Sequence, residues 1–350
     1  MINIKTSVDN IIKLTSLELD IFNPQFSPNG KQIAFSAGDD VLSCDVYTIN
    51  TDGTGLRRLT HEQQPSYVSC YSPDGIRIAC THNPINDDDN YFDIFSMWID
   101  GSNIQRLTYT GGVNPDYSPD GNMIVFGKWV DRDMQIFRMN PDGNSVLQLT
   151  SIEPKNPSKC MWHSTRYPVF SPDGEWIYYL SCQHSDKDLD EIYRMRPDGS
   201  EAARLTHSEG SAGRPIVSPD NRFVAFSSSL YDQENRIMKS SIHIANSDGS
   251  DQRQIDCSGF GNMITSFSPD GEWIVLSSSR DRKTDQIIHN WDIYAIRADG
   301  SELRRLTDNT ALDTSPVFSP DGSTIAFVSD RDGCRDLYLM PFKHDVRKRE

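Results

Sequence analysis

The sequence predicts an all-β fold: a seven-bladed β-propeller with four-stranded blades, closed by an N-terminal strand that joins the last blade. Three observations predict it. One tight-turn motif occurs seven times at a nearly constant period, each repeat carries a second hairpin signal, and the last repeat lacks a piece found at the start of the sequence.

The turn motif is Ser-Pro-Asp-Gly or a close variant, beginning at Ser27, Ser72, Ser118, Ser171, Ser218, Ser268 and Ser319. The spacings are 45, 46, 53, 47, 50 and 51 residues. Ser, Pro, Asp and Gly in that order suit a type I turn, with Gly free to adopt the left-handed conformation. Asn221 replaces the Gly in the fifth copy, and Asn is the residue that best tolerates that conformation after Gly. Each turn joins two strands, A and B. A third strand, C, follows at Asp45-Val-Tyr, Asp93-Ile-Phe, Gln135-Ile-Phe, Glu191-Ile-Tyr, Ser241-Ile-His, Asp292-Ile-Tyr and Asp336-Leu-Tyr. In six repeats an Asp-Gly hairpin signal then leads to a fourth strand, D, which usually ends in Leu-Thr. The recurrent strand-C carboxylate reads as structural, accepting backbone hydrogen bonds in the B–C turn.

Four strands at a period near 50 residues make a propeller blade. The seventh repeat stops after strand C, at Met340-Pro341-Phe342, while Leu14-Thr15 stands alone ahead of the first repeat. A closing strand over 11–16 therefore completes the last blade and removes the exposed sheet edges. The expected organisation is one propeller domain over 1–350, with repeats starting near 24, 69, 115, 168, 215, 265 and 316 and a short basic tail at 343–350.

The formal net charge of -16 argues against nucleic acid or an anionic membrane surface as partner. No apolar run is long enough to span a bilayer. The first residues lack the apolar core of a secretory leader. The expected location is cytoplasmic, or periplasmic or secreted if a leader has been removed. Seven scattered cysteines with no Cys-x-x-Cys pair predict small apolar core residues in a reducing compartment.

The combination Phe-Ser-Pro-Asp-Gly, Ile-Ala-Phe, Asp-Ile-Tyr, Asp-Gly-Ser and Arg-Leu-Thr resembles the WD40-like repeat of the TolB family over about residues 8–342. The resemblance implies a platform that binds a protein, a peptide or a smaller ligand. Similar propellers precede serine-peptidase domains, but no Gly-x-Ser-x-Gly elbow occurs here.

Function on such a scaffold is expected on the longer D–A and B–C loops, which share one face of the ring. His82 and Lys128 replace a Ser that four sister blades carry at the end of strand B, and so read as ligand-binding candidates. The longest D–A loop, 151–167, carries Trp162, His163, Arg166 and Tyr167, and the next blade offers His207 and Arg214. Cations beside aromatic rings suit a carboxylate, a phosphate or a sugar acid. Asp87, Asp89, Asp186, Asp188 and Asp190 form two acidic loops that are weak calcium candidates; no other cofactor is expected. The favoured function is a non-catalytic, monomeric platform for a protein or peptide partner. The alternative is a polysaccharide lyase or hydrolase acting on an anionic carbohydrate, with His163, Arg166, Tyr167, His207 and Arg214 as its catalytic set. A small-ligand or metal sensor is a third reading.

Overall fold

The computed structural model describes residues 10–40, 43–61, 65–83, 92–131, 133–151, 165–182, 189–232, 234, 237–257, 261–281 and 290–343. Their strands form seven antiparallel sheets, one per repeat, as a seven-bladed propeller. Blade 1 shows the pattern: strand A is Asp20–Phe26, B is Gln32–Gly38, C is Cys44–Asn50 and D is Arg57–Arg58, paired in that order.

The turn residues do what their chemistry predicts. In blade 3, the Ser118 hydroxyl donates to Asp120 at 2.6 Å and accepts from the Met123 amide at 2.9 Å. The Asp120 carboxylate also accepts from the Asn122 amide at 3.1 Å. These hydrogen bonds hold the Asp120 carboxyl below its usual pKa. Asn221 takes the left-handed conformation, with φ of 60°. Its side-chain oxygen also accepts from the Asp173 amide of the preceding blade at 3.1 Å.

The ring closes as the sequence predicts. Ile12–Lys13 pairs antiparallel with Cys334–Pro341, placing Ile12 opposite Leu339 and Lys13 opposite Tyr338. The sheet order makes this the outermost strand of blade 7. The Leu14 amide adds a bond to the Leu337 carbonyl at 2.8 Å.

The strand-C carboxylates are structural, but their main partners lie on strand D. Asp93, on Asp93–Trp98, accepts from Arg106 at 2.5 Å, from Thr108 at 2.7 Å and from the Gly111 amide at 3.0 Å. Asp45 with Arg58 and Thr60, Glu191 with Arg204 and Thr206, and Asp292 with Arg305 and Thr307 repeat the lock. In the closing blade, Lys13 lies 2.8 Å from Asp336, and Thr15 donates to the same carboxylate. The Leu-Thr signature therefore marks the strand that locks down its own blade. Blade 3 makes a neutral version, with Thr150 donating to Gln135 at 2.8 Å.

Between blades lies a repeated apolar layer. Five blades stack a ring on strand B against one on strand C: Phe35–Tyr47, Phe126–Phe137, Tyr179–Tyr193, Phe226–His243 and Phe327–Tyr338. In all five, a Leu from the neighbouring blade's outermost strand packs in or against the same cluster as ring residues of the pair, as Leu107 does with Phe126 and Phe137 and Leu14 with Phe35 and Tyr47. Both faces of each blade are covered this way, so the strands read as continuous apolar runs.

Candidate functional channel

The innermost strands line the channel: Asp20–Phe26, Ser66–Tyr71, Val113–Tyr117, Thr165–Phe170, the pair Ser211–Ala212 and Ile216–Val217, Asn262–Phe267 and Asp313–Phe318. Neighbouring blades cover both faces of each, so an exposed side chain here looks into the channel or its mouth. Six of the seven carry a register shift in the middle. In four of them a non-Gly residue with positive φ precedes a buried Pro: Asn23, Asn114, Tyr167 and Ser315. The extra residue of a bulge re-aims its side chain, and the Pro supplies no amide that the ladder would miss. Asn23, Asn114 and Tyr167 are exposed as a result.

Blade 5 departs further. Its innermost strand is broken in two around Gly213-Arg214-Pro215. The Gly213 amide bonds the Ser227 carbonyl at 2.7 Å, and a Cβ at Gly213 would lie 2.5 Å from the Ser227 hydroxyl. A larger residue fits there only if that hydroxyl turns away. Arg214 follows it, exposed, and among the described residues no hydrogen bond or ion pair engages its guanidinium. It does act electrostatically on Asp116 and Cys70, which sit on the innermost strands of blades 3 and 2. Its charge therefore reaches across the channel.

Asp116 is a residue that the sequence reading did not single out. Its position holds Gln25, Cys70, Val169, Ile216, Ser266 and Val317 in the sister blades, so its carboxylate is the exception in the set. One carboxylate oxygen accepts from the Phe170 amide of blade 4 at 2.9 Å. Burial pushes its carboxyl up to about 6, against the opposing pull of the Phe170 amide and Arg214. It keeps partial solvent contact within the channel.

The sequence candidates fall in several places. Arg166 lies on the innermost strand of blade 4 and pairs with Asp190 at 2.5 Å, and the Ser211 hydroxyl donates to Asp190 at 3.0 Å. Two residues singled out for different ligands thus bind each other and tie blade 4 to blade 5. Tyr167 is exposed at its bulge. His207 is exposed at the end of strand D of blade 4, and no described contact brings it to Arg214. His82 is buried, with Nδ1 2.8 Å from the Ser66 hydroxyl and its ring edge-on to Phe95. Lys128 donates to Thr110 at 2.6 Å and lies over the Phe137 ring. Trp162, His163, Asp87, Asp89, Asp186 and Asp188 lie outside the described residues. Among the described residues there is no cluster of three or more metal-ligating side chains, and no helix is long and apolar enough to cross a membrane.

Above the ring, the B and C strands of blade 5, Phe223–Asp232 and Ile237–Asn246, outrun those of the other blades. Leu230, Tyr231 and Met238 are exposed on this hairpin, and Met263 is 59% exposed on the innermost strand of blade 6.

Comparison with known proteins agrees with this architecture. The family model for the TolB beta propeller domain matches residues 1–160 and 239–350. An uncharacterized protein of Agrobacterium fabrum is 32% identical over 210 residues, covering 57% of this chain and 67% of its own. A protein TolB homolog of Chlorobium luteolum is 30% identical over 167 residues; the match covers 48% of this chain and only 34% of that relative. The crystal structure of oligogalacturonate lyase from Vibrio parahaemolyticus superposes with a TM-score of 0.72 at 15% identity, covering 99% of this chain and 98% of its own. At that identity the likeness concerns the fold. The match of the family model over most of its length shows that this chain belongs to the TolB beta propeller family.

Proposed function

We propose that this protein is a binding platform that receives a short peptide segment of a partner protein at its channel mouth, with Arg214 as the anchor for a carboxylate. The observation that carries this reading is the broken strand of blade 5, which presents a guanidinium with no described ion-pair partner, whereas Arg166 on the innermost strand of blade 4 is paired with Asp190. A guanidinium offers a forked set of donors matched to a carboxylate. The net charge of -16 repels an acidic domain as a whole. It therefore favours a single carboxylate, such as that of a peptide C-terminus or an isolated Asp or Glu, flanked by apolar residues. Met263, Leu230, Tyr231 and Met238 supply the apolar contacts, and Met adapts readily to varied partners.

The test is fluorescence anisotropy with labelled apolar peptides that carry one carboxylate or none. The carboxylate peptides bind at least tenfold tighter, and Arg214→Ala removes that preference while Arg214→Lys keeps part of it. Equal binding of both peptide classes, or an unchanged preference in Arg214→Ala, refutes the reading.

A second reading rests on Tyr167 and Arg214 facing one channel from adjacent blades. That pair offers a phenol and a carboxylate-neutralising cation, the groups that eliminative cleavage of a uronic-acid polymer requires. Unsaturated product from oligogalacturonate, lost in Tyr167→Phe and Arg214→Ala, would favour this reading over the platform.

A further inference from the structure

We propose that the interface of blades 1 and 2 carries a socket for a single-ring aromatic molecule, in the place where blade 2 holds Cys80 instead of the ring its sister blades supply. The register defines the vacancy. Phe35, Phe126, Tyr179, Phe226 and Phe327 each sit opposite a ring on strand C. Cys80 occupies that slot in blade 2, opposite Phe95. Blade 6 places Leu276 there, opposite Tyr294, and so fills its slot with an aliphatic side chain.

Two further observations show that the slot in blade 2 stands open. A pocket of about 130 Å³ is lined by Leu59, Cys80, His82, Phe95, Met97 and Ile104, among others. Phe95 is only partly buried, as is His243 of blade 5, whereas Tyr47, Phe137, Tyr193, Tyr294 and Tyr338 at its position are no more than 8% exposed. Leu59 packs in the same cluster as Cys80 and Met97, as its counterparts do over ring pairs, but the ring is missing. Ile104, 54% exposed, stands at the rim and leaves a way in from solvent.

The chemistry of the walls selects the occupant. Leu59, Met97 and the Phe95 ring are apolar, and a thioether sulfur gains from contact with an aromatic ring. The Cys80 thiol, pushed up to about 12 by burial, stays neutral and acts as an apolar wall. Apolar cavities of about 150 Å³ take up benzene. A ring inserted here lies beside Phe95 much as Phe35 lies against Tyr47, at a centroid distance of 5.7 Å.

The experiment titrates benzene and phenol into the protein and follows the Met97 methyl signal by NMR. A saturable shift at millimolar ligand is expected. Cys80→Phe, which supplies the missing ring from the protein itself, lowers the affinity at least tenfold without lowering the melting temperature. Cys80→Leu copies the solution of blade 6 and blocks the socket if the Phe variant fails to fold. Arg214→Ala leaves the titration unchanged, which separates this socket from the channel. Absence of a saturable Met97 shift, or equal affinity in the wild type and the foldable blocking variant, overturns the proposal.

Discussion

Replacing Asp93 tests whether the carboxylate locks hold the blades together. Asp93 is 1% exposed and serves Arg106, Thr108 and the Gly111 amide at once. Asp93→Ala strands all three. Removing one partner of a buried ion pair costs about 3–5 kcal/mol. Arg106 is 26% exposed on its side chain and re-solvates in part, so the lower end, about 3 kcal/mol, is expected. The unfolding entropy of about 2.1 cal/mol/K per residue gives about 0.7 kcal/mol/K for a protein of this length, so the melting temperature falls by about 4 °C. Blade 3 shows how the same slot is built without charge: Gln135 accepts from Thr150 at 2.8 Å, and Gln148 donates to the Thr150 carbonyl at 2.7 Å. The double variant Asp93→Gln with Arg106→Gln copies that arrangement and is expected to lose only about 1 kcal/mol, since exchanging a buried pair for a satisfied neutral one is close to neutral. Thermal and urea unfolding of wild type, both single variants and the double variant form a complete cycle. A double variant as unstable as Asp93→Ala, or a harmless Asp93→Ala, refutes the view that charge pairing in these locks matters chiefly through the cost of breaking it.

Two further predictions concern the ring and the channel. Deleting residues 1–17 leaves Asp336, 3% exposed, without Thr15 and Lys13 and opens the edge of blade 7, so melting falls by more than in Asp93→Ala; an unchanged melting temperature refutes the closure. Asp116, pushed up to about 6 from about 3.9 in the unfolded state, holds its proton longer when folded, so its contribution is fully present below pH about 4 and is lost as pH rises through about 6. The change is at most about 3 kcal/mol, and channel water reduces it. Asp116→Asn flattens that part of the stability profile, leaving the slope due to Asp292, which burial also pushes up to about 6 despite Arg305. Binding of a carboxylate peptide tightens on acidification through pH about 6 in the wild type and not in Asp116→Asn; identical pH profiles refute the coupling to Arg214.

Much of the fold was legible because its determinants are local. A Ser-Pro-Asp-Gly turn is specified by four adjacent residues, and Asn221 declares its conformation by its identity. The closing strand was legible because Leu14-Thr15 repeats a signature absent from blade 7. The lock was half legible: the strand-C carboxylates stood out, but their strand-D partners lie 13 to 15 residues away, and only register shows that they meet. The channel was the least legible part. Arg166 and Arg214 look alike in sequence, since each follows a short residue and stands within two residues of a Pro on the innermost strand. Asp190 engages one, while the break at Gly213 turns the other into the channel. Asp116 carried a signal, a carboxylate in a column of neutral residues, but its meaning required knowing that the column faces across to Arg214.

A repeat protein supplies its own reference for reading a site. Seven copies of one blade state what the scaffold alone requires at each slot, so a departure is free to serve something else or is compensated nearby. The two cases separate in this structure. Lys128 and His82 depart from the Ser of their sisters, yet each covers the strand-C ring of its own blade. Arg280 and Arg331 do the same from two residues further on, lying over Tyr294 and Tyr338. Those departures are variants of one packing device. Arg214 and Cys80 are different. The first presents a charge that no described neighbour pairs, and the second removes a ring and leaves Phe95 partly uncovered. The edge of the His82 ring meets Phe95 without filling the slot at Cys80, and no described group pairs Arg214, which is why these two departures underlie the proposals made for the channel at blade 5 and the socket at blade 2.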